Sequence, residues 1–262
     1  MLDKAWAAAH NMHKKGVAGM DAVKALRDLI RSAKRTVFFG GAGVSTESGI
    51  PDFRSTDGLY RQKWKYPPET ILSHTFFQQR PEEFYRFYRE KMLFPDAAPN
   101  AAHLALAELE RMGLLSAVIT QNIDGLHQAA GSNRVIELHG SVLRNRCVRC
   151  RKPYKMEDIL SSTGIPRCTC GGIIKPEVVL YEESLPEQAI EDALTEIAAS
   201  DLLIIGGTSL SVYPAAGFVA DYPGRIAIIN RSPTPMDRDA DLLIDAPIGE
   251  TLGRVMTLIQ KD

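Results

Sequence analysis

The sequence predicts an α/β protein: a doubly wound parallel sheet interrupted by a helical insertion and by a small cysteine-bearing module. Three observations predict it. Short runs that are apolar on both faces recur along the chain, as strands buried under helices on each side require. Amphipathic helical stretches fall between these runs. One stretch, residues 141–180, breaks the alternation and carries all four cysteines.

The elements follow in order. Residues 1–20 are Ala/His/Lys-rich and weakly patterned, fitting a short helix or a frayed start. Val23, Leu26, Ile30 and Ala33 recur at helical spacing and predict a helix over about 21–34. Thr36-Val37-Phe38-Phe39 reads as a buried strand. Residues 55–100 hold no strand signal, several prolines and an aromatic helical piece near Glu82–Met92. Ala102, Ala105, Leu106, Leu109 and Met112 line one face of a helix that Gly113 stops. Strands are predicted at Ala117–Thr120, Arg134–Leu138, Leu202–Ile205, Ile226–Ile229 and Leu242–Ile244, with helices near 186–199, 213–221 and 249–260. The expected division is 1–54, 101–140 and 181–262 for the sheet domain, 55–100 for the insertion and 141–180 for the module.

Bulk properties narrow the function. At 262 residues with 45% hydrophobic content the chain can bury a large core. Its 31 Lys+Arg against 32 Asp+Glu argue against a partner bound by phosphate neutralisation, so no nucleic acid is expected. No apolar run approaches a membrane span, and Met1–Trp6 lacks a signal-peptide core, so a cytoplasmic protein with reduced thiols is expected.

The chemistry collects at strand ends, where open α/β sheets bind ligands. Gly41-Ala42-Gly43 follows the first strand, and such a turn brings bare backbone N–H groups to a phosphate. It departs from the dehydrogenase fingerprint: Thr46 stands where the third glycine would be, and no acidic residue marks the end of a following strand. Ile50-Pro51-Asp52-Phe53-Arg54 adds an acid, a ring and a guanidinium. Thr120-Gln121-Asn122-Ile123-Asp124 offers amides and a carboxylate suited to a ribose and a carboxamide, although Asp124 is equally placed to cap the next helix. His139 ends the next strand beside that loop and suits a general base. His103 and His127 read as structural or surface residues; His10, His13 and His74 receive no role. Gly207-Thr208-Ser209 and Asn230 close two further strands.

Cys147-x2-Cys150 and Cys168-x-Cys170 have the short pair spacing of a tetrahedral zinc site. Two disulfides are disfavoured in a cytosolic chain, and four free thiols would not cluster. Four thiolates fill the coordination sphere, so the metal is expected to be structural.

Assembled, these motifs closely resemble the sirtuins, the NAD-dependent protein-lysine deacylases, over roughly residues 20–260. The resemblance implies a Rossmann-like large domain, a zinc ribbon and an active site in the cleft between them. It implies that Ala42, Thr46, Gln121, Thr208, Ser209, Asn230 and Ile248 hold NAD, with a helix N-terminus after Gly43 facing the pyrophosphate. Phe53 and Arg54 would shape the nicotinamide pocket, Phe53 shielding the reactive sugar carbon, while Ile123 and Asp124 would bind the carboxamide. The acyl-lysine oxygen would attack the ribose as nicotinamide leaves, and His139, as general base, would activate a ribose hydroxyl. Deacylated lysine, nicotinamide and O-acyl-ADP-ribose would result. Acyl-lysine proteins or peptides are thus the implied partners, with Val178 and Val179 on the strand that pairs with them. Relatives that prefer acidic acyl chains carry Tyr-x-x-Arg; this chain has Tyr88 and Lys91, and Lys lacks the bidentate fork, so deacetylation or broad short-acyl removal is expected. ADP-ribosyl transfer to protein from the same cleft stays open, as does a zinc-ribbon binding module that only senses NAD.

Overall fold

The computed structural model describes residues 19–53, 58 and 64–261. Arg54 and the weakly patterned start of the chain lie outside the described residues. The first helix, α1 (Met20–Ser32), buries Ala22, Val23, Leu26 and Ile30. It leads into β1 (Thr36–Gly40), all five residues of which are buried. Three short helices follow, α2 (Pro68–Ile71), α3 (His74–Gln79) and α4 (Pro81–Lys91). The predicted helix after them is α5 (Ala101–Arg111), and β2 (Ala117–Thr120), α6 (Leu126–Ala129) and β3 (Val135–Glu137) come next. Met112, expected on the buried face, is the C-cap of α5 and is exposed, because the helix ends one residue before it.

The module comprises β4 (Gly140–Cys147), β5 (Pro153–Lys155), α7 (Met156–Leu160) and β6 (Ile174–Val178). The chain then completes the large sheet with α8 (Glu187–Ala199), β7 (Leu202–Gly206), β8 (Arg225–Ile229), β9 (Leu242–Ile244) and α9 (Ile248–Ile259). The stretch predicted as a helix near 213–221 is instead a five-residue 3-10 turn, Ala215–Val219. Pro214 precedes the turn and Gly217 lies inside it, and the glycine disfavours an α-helix there.

The large sheet has six strands in the order β3-β2-β1-β7-β8-β9. Every pairing in it is parallel. The order runs outward from β1 in one direction and restarts at β7 in the other, which places the topological switch between β1 and β7. One face packs Leu26, Ile30, Leu106, Leu252 and Val255 of α1, α5 and α9 against Phe38, Val118 and Ile204. The opposite face packs Ala193 and Ile197 of α8 and Val219 against Val37, Phe39 and Ile205.

A third cluster lies outside that sheet. It joins Ile71, Phe76, Phe84, Tyr85 and Phe87 of the insertion to Val142, Met156, Ile159, Ile174 and Val178 of the module. The module therefore shares a core with the aromatic helices. Arg89 stitches the two together by donating to the Ile159 carbonyl (2.9 Å), the Gly164 carbonyl (2.7 Å) and the Ser162 hydroxyl (2.7 Å). The Tyr85 hydroxyl donates to the Ile174 carbonyl. Gly140 starts β4 at φ +73°, and a Cβ there would collide with the Glu177 carbonyl of β6. A glycine is what allows the two strands to cross this closely just after His139.

Candidate active site

The C-terminal ends of the sheet strands open on one cleft of about 1400 Å³, faced across by the module. Ala42, Thr46, Gln121, Ile123, Asp124, His139, Thr208, Ser209, Asn230 and Ile248 line the sheet side, and Val178 and Val179 line the opposite wall. Phe53 and Lys91 also border the cleft. Tyr88 does not: its ring is buried and stacks on Phe84 at 5.5 Å, and its hydroxyl has no partner among the described residues.

On the sheet side, two glycine turns meet backbone to backbone. The Gly43 amide donates to the Gly207 carbonyl (2.8 Å) and the Gly41 amide to the Gly206 carbonyl (3.3 Å). A Cβ on Gly43 would sit 2.8 Å from the Gly207 Cα, and Gly207 itself has φ +59°. Side chains are excluded at both positions, so a ligand can approach the backbone closely here, but the Gly41, Gly43 and Gly207 amides expected to meet a phosphate already donate within the protein.

The expected helix after Gly43 is not formed. Two 3-10 turns, Ala42–Val44 and Thr46–Ser48, take its place. Gly49 follows in the left-handed region at φ +82°, and Pro51 has no amide to continue a helix. A network of side chains fixes this loop instead. Ser45 Oγ donates to Asp124 Oδ2 (2.6 Å) and accepts from Asn122 Nδ2 (3.0 Å). Asp124 Oδ1 accepts from the Leu126 amide (2.9 Å), closing the turn before α6, whose N-cap is Gly125 rather than Asp124, and the carboxylate also borders the cleft. Gln121 Nε2 donates to Thr208 Oγ1 (3.1 Å), and Asn230 Nδ2 to the Thr208 carbonyl (3.1 Å). Glu47 Oε1 accepts from the Gly249 amide at the start of α9 (2.8 Å).

His139 is half-buried, with Nδ1 2.9 Å from the Gln121 carbonyl oxygen. A carbonyl can only accept, so Nδ1 carries the proton and Nε2 keeps its lone pair. Burial lowers the pKa below 6.5, and the Gln121 carbonyl opposes that only partly. The imidazole is therefore neutral at pH 7 and able to accept a proton at Nε2.

Behind the cleft, His103 and His127 are buried against each other, ring centroids 4.7 Å apart. His103 Nδ1 accepts from the Asn100 amide (3.2 Å). Among the described residues, His103 Nε2 and both His127 nitrogens have no partner. Burial drives the His127 pKa down to about 3, helped by His103; burial also lowers His103, against the pull of Asp124. In the unfolded chain both would protonate near 6.5. Below that pH the unfolded state binds protons that the folded state refuses, so stability is full above about 6.5 and falls as pH drops toward about 3. Full titration of His127 alone would withdraw on the order of 5 kcal/mol. Urea unfolding at pH 7, 6 and 5 should show this decline, and His127→Leu should flatten it; equal slopes in both proteins would refute the assignment.

The four cysteine sulfurs all lie within 4.8 Å of one another. The Cys147–Cys170 and Cys150–Cys168 sulfurs are 3.5 Å apart, far beyond a disulfide bond. A tetrahedral zinc–thiolate centre with bonds of about 2.3 Å spaces its sulfurs by roughly 3.8 Å. The donor set and its spacing fit one such ion, and the Arg149 amide donates to Cys147 Sγ (3.4 Å), as a thiolate invites.

A Sir2 family model matches residues 41–214. The chain belongs to the Sir2 family. A relative from Clostridium perfringens named NAD-dependent protein deacetylase is 54% identical over 90% of this chain and 99% of its own length. A Thermotoga maritima protein of the same name is 44% identical over 89% and 97%. Among solved structures, a Sir2 variant with deacetylated p53 peptide and 3'-O-acetyl ADP-ribose superposes at TM-score 0.83, with 44% identity, covering 90% of this chain and 98% of that one. A Sir2 homologue variant bound to ADP-ribose gives 0.84 at 38% identity, covering 91% and 96%. This sirtuin is of the compact bacterial and archaeal type. Sequence reasoning left three of its cleft residues or their supports without a role: Ser45, Glu47 and Asn100. The signal for Asn100 was in plain sight, an Asn before a helix with a hydrogen-bond acceptor three residues on.

Proposed function

We propose that this chain is an NAD-dependent protein-lysine deacetylase that yields deacylated lysine, nicotinamide and O-acyl-ADP-ribose. The observation that carries the reading is His139: a neutral imidazole with an unprotonated Nε2, lining the same cleft as the glycine turns, with Val178 and Val179 on the facing wall. The names and bound molecules of its Sir2 relatives support it.

Ala42, Thr46, Gln121, Thr208, Ser209, Asn230 and Ile248 hold the dinucleotide, with the Gly41–Gly43 and Gly206–Gly207 turns admitting its phosphates. Ile123 and Asp124 bind the carboxamide, and Phe53 and Arg54 shape the nicotinamide pocket, with Phe53 shielding the reactive sugar carbon. NAD supplies a ribose carbon that takes the acyl oxygen when nicotinamide leaves. His139 receives a ribose hydroxyl proton at Nε2, and its Nδ1–H, anchored on Gln121, keeps the ring oriented. β6 is an edge strand of the small sheet, so Val178 and Val179 can pair with an extended peptide through backbone groups. The sheet domain, insertion and module divide at about residues 54, 100, 140 and 180. Lys91 borders the acyl end and Tyr88 lies one turn earlier on α4; a lysine there gives a point charge without a carboxylate fork, so acetyl and other short acyl groups are preferred to succinyl.

The test is a panel of acyl-lysine peptides incubated with labelled NAD and read by mass spectrometry. Acetyl-lysine peptide should lose its acyl group with release of nicotinamide and O-acetyl-ADP-ribose in equal amounts. Label ending on protein would reassign the chain to ADP-ribosyl transfer, and NAD bound without turnover would make it a sensor.

A further inference from the structure

The loop Ala42–Ser48 lines the cleft and must hold a defined shape to do so, yet it contains only two 3-10 turns. Such short turns do not fix themselves, so the shape comes from groups outside the loop. Ser45 is held by Asp124, Gly43 by Gly207 and Glu47 by the start of α9. A further anchor comes from a residue that does not line the cleft. Asn100 Nδ2 donates both of its hydrogens, to the Val44 carbonyl (2.8 Å) and to Ser48 Oγ (3.0 Å). One side chain thus grips both 3-10 turns.

Asn100 is itself immobilised. It is the N-cap of α5: its Oδ1 accepts from the Ala102 amide (2.8 Å), and its backbone amide donates to His103 Nδ1 (3.2 Å). This is a capping box with histidine in the place of Glu or Gln. His103 is fully buried, where a carboxylate would have to lose its hydration, so a neutral imidazole is the acceptor the site can hold. With Nδ1 accepting, the proton sits on Nε2.

We propose that Asn100 and His103 are positioning residues for the nucleotide: His103 fixes Asn100, and Asn100 fixes the Ala42–Ser48 loop in its binding shape before NAD arrives. The inference rests on the deacetylase reading for the identity of the ligand. Its energetic content is preorganisation, since a loop already ordered does not have to be ordered at the expense of binding. Loss of the anchor should therefore weaken NAD binding and leave peptide binding and the chemical step alone.

Asn100→Asp keeps the size and the Oδ1 acceptor but sets an oxygen against the Val44 carbonyl in place of a donor. It should raise the KM for NAD about tenfold, and the Kd for NAD by calorimetry likewise, the scale expected when a partly buried hydrogen bond is broken. Peptide KM and kcat at saturating NAD should stay within about twofold. His103→Gln restores an acceptor at the same position and should bind NAD within about threefold of the parent chain, whereas His103→Leu should lose about tenfold. An Asn100→Asp protein that binds NAD as the parent does, or one that loses NAD affinity, peptide affinity and kcat together, would overturn the proposal. Equal losses in His103→Gln and His103→Leu would remove His103 from it. A parent chain that binds no NAD would overturn this proposal and the deacetylase reading together; a parent that binds NAD, with an unaffected Asn100→Asp protein, overturns this one alone.

Discussion

His139→Ala should reduce turnover by at least about 100-fold, the lower range for removal of a general base. The side chain is anchored at Nδ1 by the Gln121 carbonyl and faces the cleft with an unprotonated Nε2. Alanine removes the proton acceptor while leaving the glycine turns and the Gln121–Thr208 contact in place, so NAD should still bind. Activity close to that of the unaltered chain would take the base role from His139. The pH profile offers an independent check. Burial holds the His139 pKa below 6.5, so the neutral form predominates at pH 7 and above and declines as pH falls through that lowered value. The value of kcat/KM should follow it, with an acid limb lying below pH 6.5. A profile flat down to the acid limit of folding would contradict the assignment.

Stripping the metal from the cysteine cluster should abolish deacetylation without dismantling the large sheet. Structural zinc–thiolate sites contribute on the order of 10 kcal/mol to the folding of the segments they clip. Here the clip joins the hairpin loop after β4 to the loop before β6, since Cys147 ends the first strand and Cys168 and Cys170 precede the second. β6 carries Val178 to the cleft wall. Releasing the clip should loosen that wall and, through the shared aromatic core, the insertion helices. The two cores that flank the parallel sheet contain none of these residues. Chelation checked by elemental analysis should therefore give a protein that loses peptide turnover and melts in two steps. Full activity in a verified metal-free sample would show that the cluster has no such part.

The parallel strands were the most legible elements. Ala117–Thr120 and Leu242–Ile244 stand where their apolar runs predict, because a strand covered on both faces has no polar positions to blur its ends. The strand ends in turn made the cleft readable, since ligand groups gather there in any open α/β sheet. Shape not written in hydrophobic period was harder. The 3-10 turn at Ala215–Val219 carries helix-like apolar residues, with Gly217 among them weakening the α-helix that the sequence predicts. The module looked short of apolar residues because much of its core is supplied by Phe76, Phe84 and Phe87, sixty or more positions upstream of most of its own apolar residues. Asn100 received no role from the sequence, because nothing local to it shows that its amide reaches back to Val44 and Ser48.

The strand order also governs how this chain can be made. Thr36 pairs with Leu202, so the centre of the sheet is closed by segments that leave the ribosome far apart in time. Until Leu202–Gly206 emerges, one edge of Thr36–Gly40 has no neighbour, and the helix that covers it, Ile248–Ile259, comes later still. Such non-local closure is slow. A nascent chain of this kind carries an apolar strand edge through most of its synthesis, and needs shelter from sticking to its own copies before the last helix lands.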